Sequence, residues 1–547
     1  MLPKERVVVA VAAALLAVLL TWPIAPRMGS AGRVQNGDGR FSMWNVAWVA
    51  RALTTDPLRV FDANIFYPET GTLAYSEANL VAGVLAIPAW LATGNIYATS
   101  NFAILSAFFL AAFTAYALGR RLTGSRSAAT IVGLSYAFCP FVFAHIPHIQ
   151  LLMTFGPALS LLAMHRLVEQ PTLRRGVWLG AALAVQALAC TYYGIFGGLA
   201  VGLGLVWFGV LDARLRTWHF WRCGAVAVAV AATLLTPFLL KYIPVLDAGF
   251  VRTLHEARLF SVLGPSYLTS AIWVHTWILP MFEGWRDVLF PKFLTLALAV
   301  AACIYAVGRR AGAMQSASRR LVGFYVLLLA LAVWASFGPD AGLYAWLYEA
   351  IPLFSYVRVP SRFGVLVILS ASVLAGFGAA AILGRLGVWP RRCFAAAAVT
   401  VAMAESVVIP LQIHDAPPVA KAYRMLGVLP WGPVAEFPFY YKARDRYRHT
   451  EYMLMSAHHW KPLVNGYSDF TPAAYAQDLP ALASFPHAAV WAPLRRRGVR
   501  YIVVHWKEYN AHERAQIQKV IRHPESPVRS IVDDPEVSLL EALSRAD

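Results

Sequence analysis

The chain has 547 residues, of which 59% are hydrophobic and only 14% charged, with a mean hydropathy of +0.55; an ordinary soluble domain carries about 25% charged residues. That balance excludes a soluble enzyme of several domains. The net charge of +18 does not mark a nucleic-acid partner either, because it is gathered in six short clusters between apolar runs. These are Lys4 and Arg6; Arg120, Arg121 and Arg126; Arg166, Arg174 and Arg175; Arg214, Arg216 and Arg222; Arg309, Arg310, Arg319 and Arg320; and Arg385, Arg391 and Arg392. Basic clusters between apolar runs are a membrane-topology signal.

In chain order, the runs long enough or nearly long enough for the roughly 20 residues of a membrane-spanning helix predict eleven spans. They lie near 7–24, 101–119, 127–144, 149–166, 176–191, 194–211, 222–243, 290–308, 321–338, 362–384 and 393–411. The first lacks a small-residue cleavage site before Trp22 and Pro23 and is read as a retained span. The run from Asn79 to Thr93 is short and contains Pro88. It is read as a helix at or dipping into the outer surface, which lets all six basic clusters face the cytoplasm. The expected fold class is an all-α polytopic membrane protein with a small α/β C-terminal soluble domain. Residues 1–411 form the membrane domain, with a long first outer loop at 25–100, and 412–547 form the soluble domain. The N-terminus is expected in the cytoplasm and the C-terminal domain outside, on a bacterial inner membrane. All five cysteines fall in or beside apolar runs and offer neither a disulfide framework nor zinc-ligand spacing.

The other outer loops are then Asp247–Leu289 and Pro339–Ser361, with tight turns at His145–His148 and Thr191–Gly194. In the first loop Asp38 stands between Gly37 and Gly39, which allow a sharp turn. Ser42 is the expected N-cap of a helix carrying Trp44, Trp48 and Arg51, whose tryptophans suit the headgroup region. Glu77 opens the second interfacial helix. Asp38 has a plain alternative as an Asx-type turn, and Glu77 as a helix-dipole partner. His145 and His148 bracket a proline at the outer mouth between two spans, a pair suited to phosphate or, with Asp38 or Glu77 as a further ligand, to a divalent metal. Arg252 and Arg258 in the second loop and Arg358 and Arg362 in the third offer planar forks to an anionic headgroup, or snorkel to the interface.

Beyond residue 411, strands are expected at Val434–Phe439, Val499–Val504, Val528–Val532 and Val537–Leu540, with a helix near His512–Arg522. Trp460, Asn465, Tyr467 and Asp469 form a candidate acceptor-binding cluster, since aromatic faces with amide and carboxylate groups suit carbohydrate. Aromatic packing is the alternative.

With the early acid of the first loop, the run Gly119-Arg120-Arg121-Leu122-Thr123-Gly124, the proline-containing outer turn, Arg-Val-Pro-Ser-Arg-Phe at 358–363 and Leu463-Val464-Asn465-Gly466-Tyr467-Ser468, the chain resembles the GT-C superfamily of integral-membrane glycosyltransferases. The resemblance implies a polyprenyl-phosphate-linked sugar as donor, a glycan, lipid or protein acceptor, and Asp38 as general base, with Glu77 the second site carboxylate. It departs from the family pattern in giving Asp38 no acidic neighbour and in placing histidines where members carry an acid. This reading requires no cofactor and leaves a divalent metal open. Two other classes compete: a transporter or flippase of a lipid-linked glycan, expected to show internal repeats and polar groups at mid-membrane, and a non-catalytic scaffold for envelope assembly.

Overall fold

A computed structural model describes residues 1–34, 36–270, 272–308 and 316–543. Arg309 and Arg310 of the predicted clusters lie outside these residues, as does the side chain of Arg214. The chain divides into two compact units. One comprises Met1–Pro26, Ala103–Leu240 and Gly249–Leu411; the other comprises Arg27–Phe102, Lys241–Ala248 and Gln412–Asp547.

The first unit is a bundle of apolar helices. Each of the eleven expected spans is helical, and the described residues include seven helices long and apolar enough to cross a membrane; this is a multi-pass membrane protein. Two expected spans are broken. Pro140 ends the first piece of one, giving Arg126–Ala137 and Pro140–Ala144, because a proline disfavours helical backbone in the residue before it. The next divides into Ile149–Leu152 and Phe155–Glu169. The outer turn expected at Thr191–Gly194 is instead an extended Cys190 between two helices.

The helix Gly364–Leu383 is buried along nearly its whole length. Lipid gives helices no hydrophobic reason to associate, so close packing through small residues must do it. A Cβ on Gly378 would stand 1.9 Å from the Leu298 carbonyl oxygen, and one on Gly180 would stand 2.4 Å from that of Ala227.

The basic clusters share one end of this bundle. Buried Glu5 accepts from Tyr116 Oη at 2.9 Å and Arg120 Nε at 2.9 Å, with Arg126 Nε at 3.7 Å. Arg121 pairs with Glu169, His219 bonds the Pro171 carbonyl, Arg320 reaches Asp212, and Arg385 lies over the Tyr305 ring. With Glu5 and Arg120 together, the helices Pro3–Leu20 and Ile96–Thr123 form one out-and-back pair. The intervening helix Leu80–Thr93 has 14 residues, about 21 Å, short of the roughly 30 Å apolar core of a bilayer.

The second unit joins the first outer loop to the C-terminal segment, which the sequence reading kept apart. Four strands form one sheet in the order β3-β4-β6-β5, with β3 (Val434–Phe437) parallel to β4 (Tyr501–His505) and the pairs of β6 (Val537–Ala542) with β4 and β5 (Val528–Val532) antiparallel. The helix Ala511–Ile521 opens on an Asn510–Glu513 capping box. These elements follow the expected ones closely. What sequence spacing did not reveal is the loop's attachment. β1 (Ala31–Gly32) pairs with β2 (His414–Asp415), and residues 64–67 run beside 463–465 through Leu463 N to Asn64 O (2.9 Å), Tyr67 N to Leu463 O (3.0 Å) and Phe66 N to Asn465 O (3.2 Å).

Candidate functional site

The acid singled out in the first loop sits in a helix. Asn36, not Ser42, caps the helix Gly37–Thr55, its side-chain oxygen accepting from Gly39 N–H at 2.9 Å. Asp38 is thus an exposed first-turn residue, where a carboxylate complements the helix dipole. Its flanking glycines serve close approach instead of a sharp turn. A Cβ on Gly39 would fall 1.9 Å from the Arg33 carbonyl oxygen, and one on Gly37 would stand 3.1 Å from Tyr447 Cβ.

The tryptophans of this helix are anchors and not an interfacial face. Trp44 and Trp48 are buried, donating to Asn64 Oδ1 at 3.1 Å and to the Val60 carbonyl at 2.8 Å. A buried indole N–H needs a partner, and the folded loop supplies both.

Several of the nominated residues meet along this helix. Asn45 lies seven residues beyond Asp38, hence on the same face and about 10 Å along the axis. Its amide donates to the Glu77 carbonyl at 3.1 Å. Glu77 therefore sits beside the Asp38 helix, before the Asn79 N-cap of Leu80–Thr93. Tyr467 meets Phe41, one turn after Asp38, edge-on at 6.2 Å, and Asp469 accepts from Ser76 Oγ at 3.2 Å.

Trp460 packs farther along the same helix, against Trp48 (5.9 Å) and the Arg51 guanidinium (5.3 Å), and against Trp90 (6.0 Å). Asn465 is fully buried, its oxygen accepting from Glu436 N–H (2.7 Å) and its amide donating to the Glu436 carbonyl (2.8 Å). Those bonds make Asn465 part of the sheet's wiring.

In the membrane unit, the His145–His148 turn forms as expected, at the end of the bundle opposite the basic clusters. His145 Nδ1 donates to the Phe141 carbonyl at 2.8 Å, which leaves Nε2 facing Asp287 Oδ1 at 3.5 Å. The His148 ring is 6.1 Å away, centre to centre. Burial holds the His145 imidazole below its usual pKa against the opposing pull of Asp287.

Asp287 was missed. It lies in an aperiodic loop, yet its side chain is only 10% exposed. Arg362 acts electrostatically on the same histidine and stacks over Tyr192 at 4.1 Å. The remaining arginines gather around a neighbouring stretch. Arg358 lies over Phe260 (5.6 Å), Arg258 donates to Asp340 (2.7 Å), and Arg252 meets Glu256 (3.6 Å) from just outside the short helix whose N-cap is Thr253. Among the described residues, no three His, Cys, Asp or Glu side chains converge as a metal site.

The single-particle structure of the arabinofuranosyltransferase AftD from Mycobacteria aligns with 100% of this chain, at a TM-score of 0.62 and 13% identity. The chain has the GT-C fold. It spans 40% of the length of AftD. Weaker alignments are found with the archaeal oligosaccharyltransferase AglB from Archaeoglobus fulgidus, in complex with an inhibitory peptide and a dolichol-phosphate, and with ArnT from Cupriavidus metallidurans in the apo state. AglB aligns at TM-score 0.45 and 14% identity, over 92% of this chain and 69% of that one. ArnT aligns at TM-score 0.45 and 15% identity, over 99% and 98%. No family model matches the sequence, and no curated protein does.

Proposed function

We propose that the protein is a glycosyltransferase that moves a hexosyl or pentosyl group from a polyprenyl-phosphate donor to an acceptor hydroxyl at the outer face of a bacterial inner membrane. Asp38 is the general base, removing the hydroxyl proton as the oxygen attacks the anomeric carbon. Glu77 is the second carboxylate. His145, His148 and the arginines at 252, 258, 358 and 362 hold the donor phosphate and stabilise the charge that grows on it as it departs. The observation that carries this reading is the GT-C fold extending over the whole chain. It is supported by the gathering of Asp38, Glu77, Tyr467 and Asp469 around one helix, since tyrosine faces and carboxylates suit a sugar acceptor. Metal dependence is tested by chelation and re-addition of a divalent cation.

The decisive experiment is Asp38→Asn in membranes supplied with a labelled polyprenyl-phosphate sugar. Loss of a general base removes about 10²–10⁴-fold of rate. Expression and folding are expected to be unchanged because the side chain is exposed. A fully active variant removes Asp38 from the reaction.

A further inference from the structure

The sequence from Tyr440 to Arg448, Tyr-Tyr-Lys-Ala-Arg-Asp-Arg-Tyr-Arg, interleaves four cations with three tyrosines and a single acid. It belongs to the same compact unit as Asp38. The backbone of Gly37 presses on Tyr447 so closely that a Cβ there would stand 3.1 Å from both Tyr447 Cβ and the ring carbon Cδ2. Arg446 donates to Thr471 Oγ1 at 3.3 Å, at the end of the stretch that places Tyr467 against Phe41. This loop and the first turn of the Asp38 helix therefore share one rim.

Two of the four cations are in ion pairs. Arg448 is paired with Glu508 and stacked on Tyr440 at 4.3 Å, and Arg444 stands 3.5 Å from Asp445. Lys442 is exposed, its Nζ 5.9 Å from the Tyr441 ring centre, and Arg446, beyond its bond to Thr471, keeps a buried Nε with no hydrogen-bond partner among the described residues. Tyr441 and Tyr447 are 49% and 43% exposed. Large aromatic faces left in solvent beside cations that carry no ion pair are poorly explained by folding alone. Aromatic faces pack on the C–H faces of pyranose and furanose rings, while a guanidinium fork takes a carboxylate or phosphate through two parallel bonds.

We propose that this loop binds an anionic saccharide, and that the acceptor of the transfer reaction is such a sugar, carrying a carboxylate or phosphate that Lys442 and Arg446 hold while its hydroxyl lies near Asp38. The substrate assignment rests on the transferase reading above; the binding site does not.

The test is titration of the purified full-length protein with a galacturonate trimer and with its methyl ester, which keeps the sugar rings and removes the charge. The acid is expected to bind at least about tenfold more tightly than the ester. The double variant Lys442→Gln/Arg446→Gln is expected to erase that difference at unchanged melting temperature, and Lys442→Arg/Arg446→Lys to keep most of it. Equal binding of acid and ester, or a double variant that retains the preference, overturns the proposal. So does displacement of the trimer by nanodiscs containing phosphatidylglycerol but not by phosphatidylcholine alone, which makes the loop a lipid-headgroup site, or equally by inorganic phosphate at matched concentration, which leaves no role for the sugar. Asp38→Asn is expected to bind the trimer normally. Full transfer activity in that variant would sink the transferase reading while leaving the binding result to stand or fall separately.

Discussion

The membrane unit and the unit holding the sheet solve cohesion in opposite ways. In the bundle, helices approach until glycine Cα atoms touch the carbonyls of neighbours, as Gly378 does at Leu298 and Gly180 at Ala227. In the other unit, buried polar side chains stitch distant segments together. Asn64 donates to Ser456 Oγ (3.1 Å) and the Lys461 carbonyl (3.2 Å), Asn465 clasps Glu436, and Arg497 pairs with Asp478 (2.6 Å). Water-facing folds can use apolar burial for stability and buried hydrogen bonds for register. A bundle in lipid depends on packing. The residues proposed to act on the acceptor belong to the stitched unit, and those proposed to hold phosphate belong to the packed one.

The largest test of that contrast is removal of the segment after Leu411. The first loop would lose β2, the 463–465 ladder and the two acceptors of the Asn64 amide, all drawn from beyond that point. Residues 27–102 are expected to become more than about tenfold faster to cleave in limited proteolysis mapped by mass spectrometry, since cleavage follows the population of opened states. The bundle helices are expected to keep their protection. A loop that stays resistant would show that it folds without the C-terminal segment.

Single substitutions separate the two kinds of cohesion. Asn465→Leu keeps the branched outline of the side chain but strands the Glu436 N–H and C=O in a fully buried place. It is expected to destabilise the sheet unit by about 2–4 kcal/mol, from two unmade buried bonds. Gly378→Ala adds one methyl against backbone and is expected to cost the bundle about 1–3 kcal/mol, as overpacking does. Hydrogen exchange resolved by peptide would assign each loss to its unit.

Much of this organisation was legible in the sequence. Unbroken apolar runs reported the spans because a bilayer demands length and hydropathy locally. The strands from Val528 to Leu540 and the helix from Ala511 lie within a few residues of where local sequence pattern puts them. Asp38 was noticed for its place between two glycines, although those glycines serve a helix start and not a turn. What stayed hidden was long-range. The bond from Arg33 Nη1 to the Gln412 carbonyl joins residues 379 positions apart, and no local pattern encodes it. Asp287 meets His145 across more than a hundred residues from a loop without periodicity. Trp44 and Trp48 carry the composition of an interfacial face, and only their indole partners, Asn64 and Val60, reveal them as core.

A pH experiment probes the stitching more gently. Glu436 is fully buried, and burial raises its pKa from the ordinary 4.5, against the lowering pull of His505 at 2.8 Å and the Tyr423 hydroxyl. Its second oxygen has no hydrogen-bond partner among the described residues. A raised carboxyl binds its proton more tightly folded than unfolded, so its contribution to stability is complete below 4.5 and is lost as pH rises through the folded value. The melting temperature of the sheet unit is expected to decline over that interval, and Glu436→Gln to flatten the decline. A slope that survives the substitution would place the titrating group elsewhere.

The smallest structural effect is expected on the arginines in the loops between the bundle's helices, and there the smallness is informative. Arg258 is about half exposed, and its partner Asp340 is more so; exposed ion pairs contribute about 0–1 kcal/mol. Arg258→Ala should therefore leave the melting temperature nearly unmoved. If the guanidinium holds the donor phosphate, the same variant should raise KM for the polyprenyl-phosphate sugar by about tenfold or more, the worth of a charge-assisted hydrogen bond, with Arg258→Lys recovering only part because an ammonium cannot form the bidentate fork. Unchanged stability together with unchanged KM would reduce Arg258 to a surface charge and shift the phosphate role to Arg362, which stands with the His145–Asp287 pair.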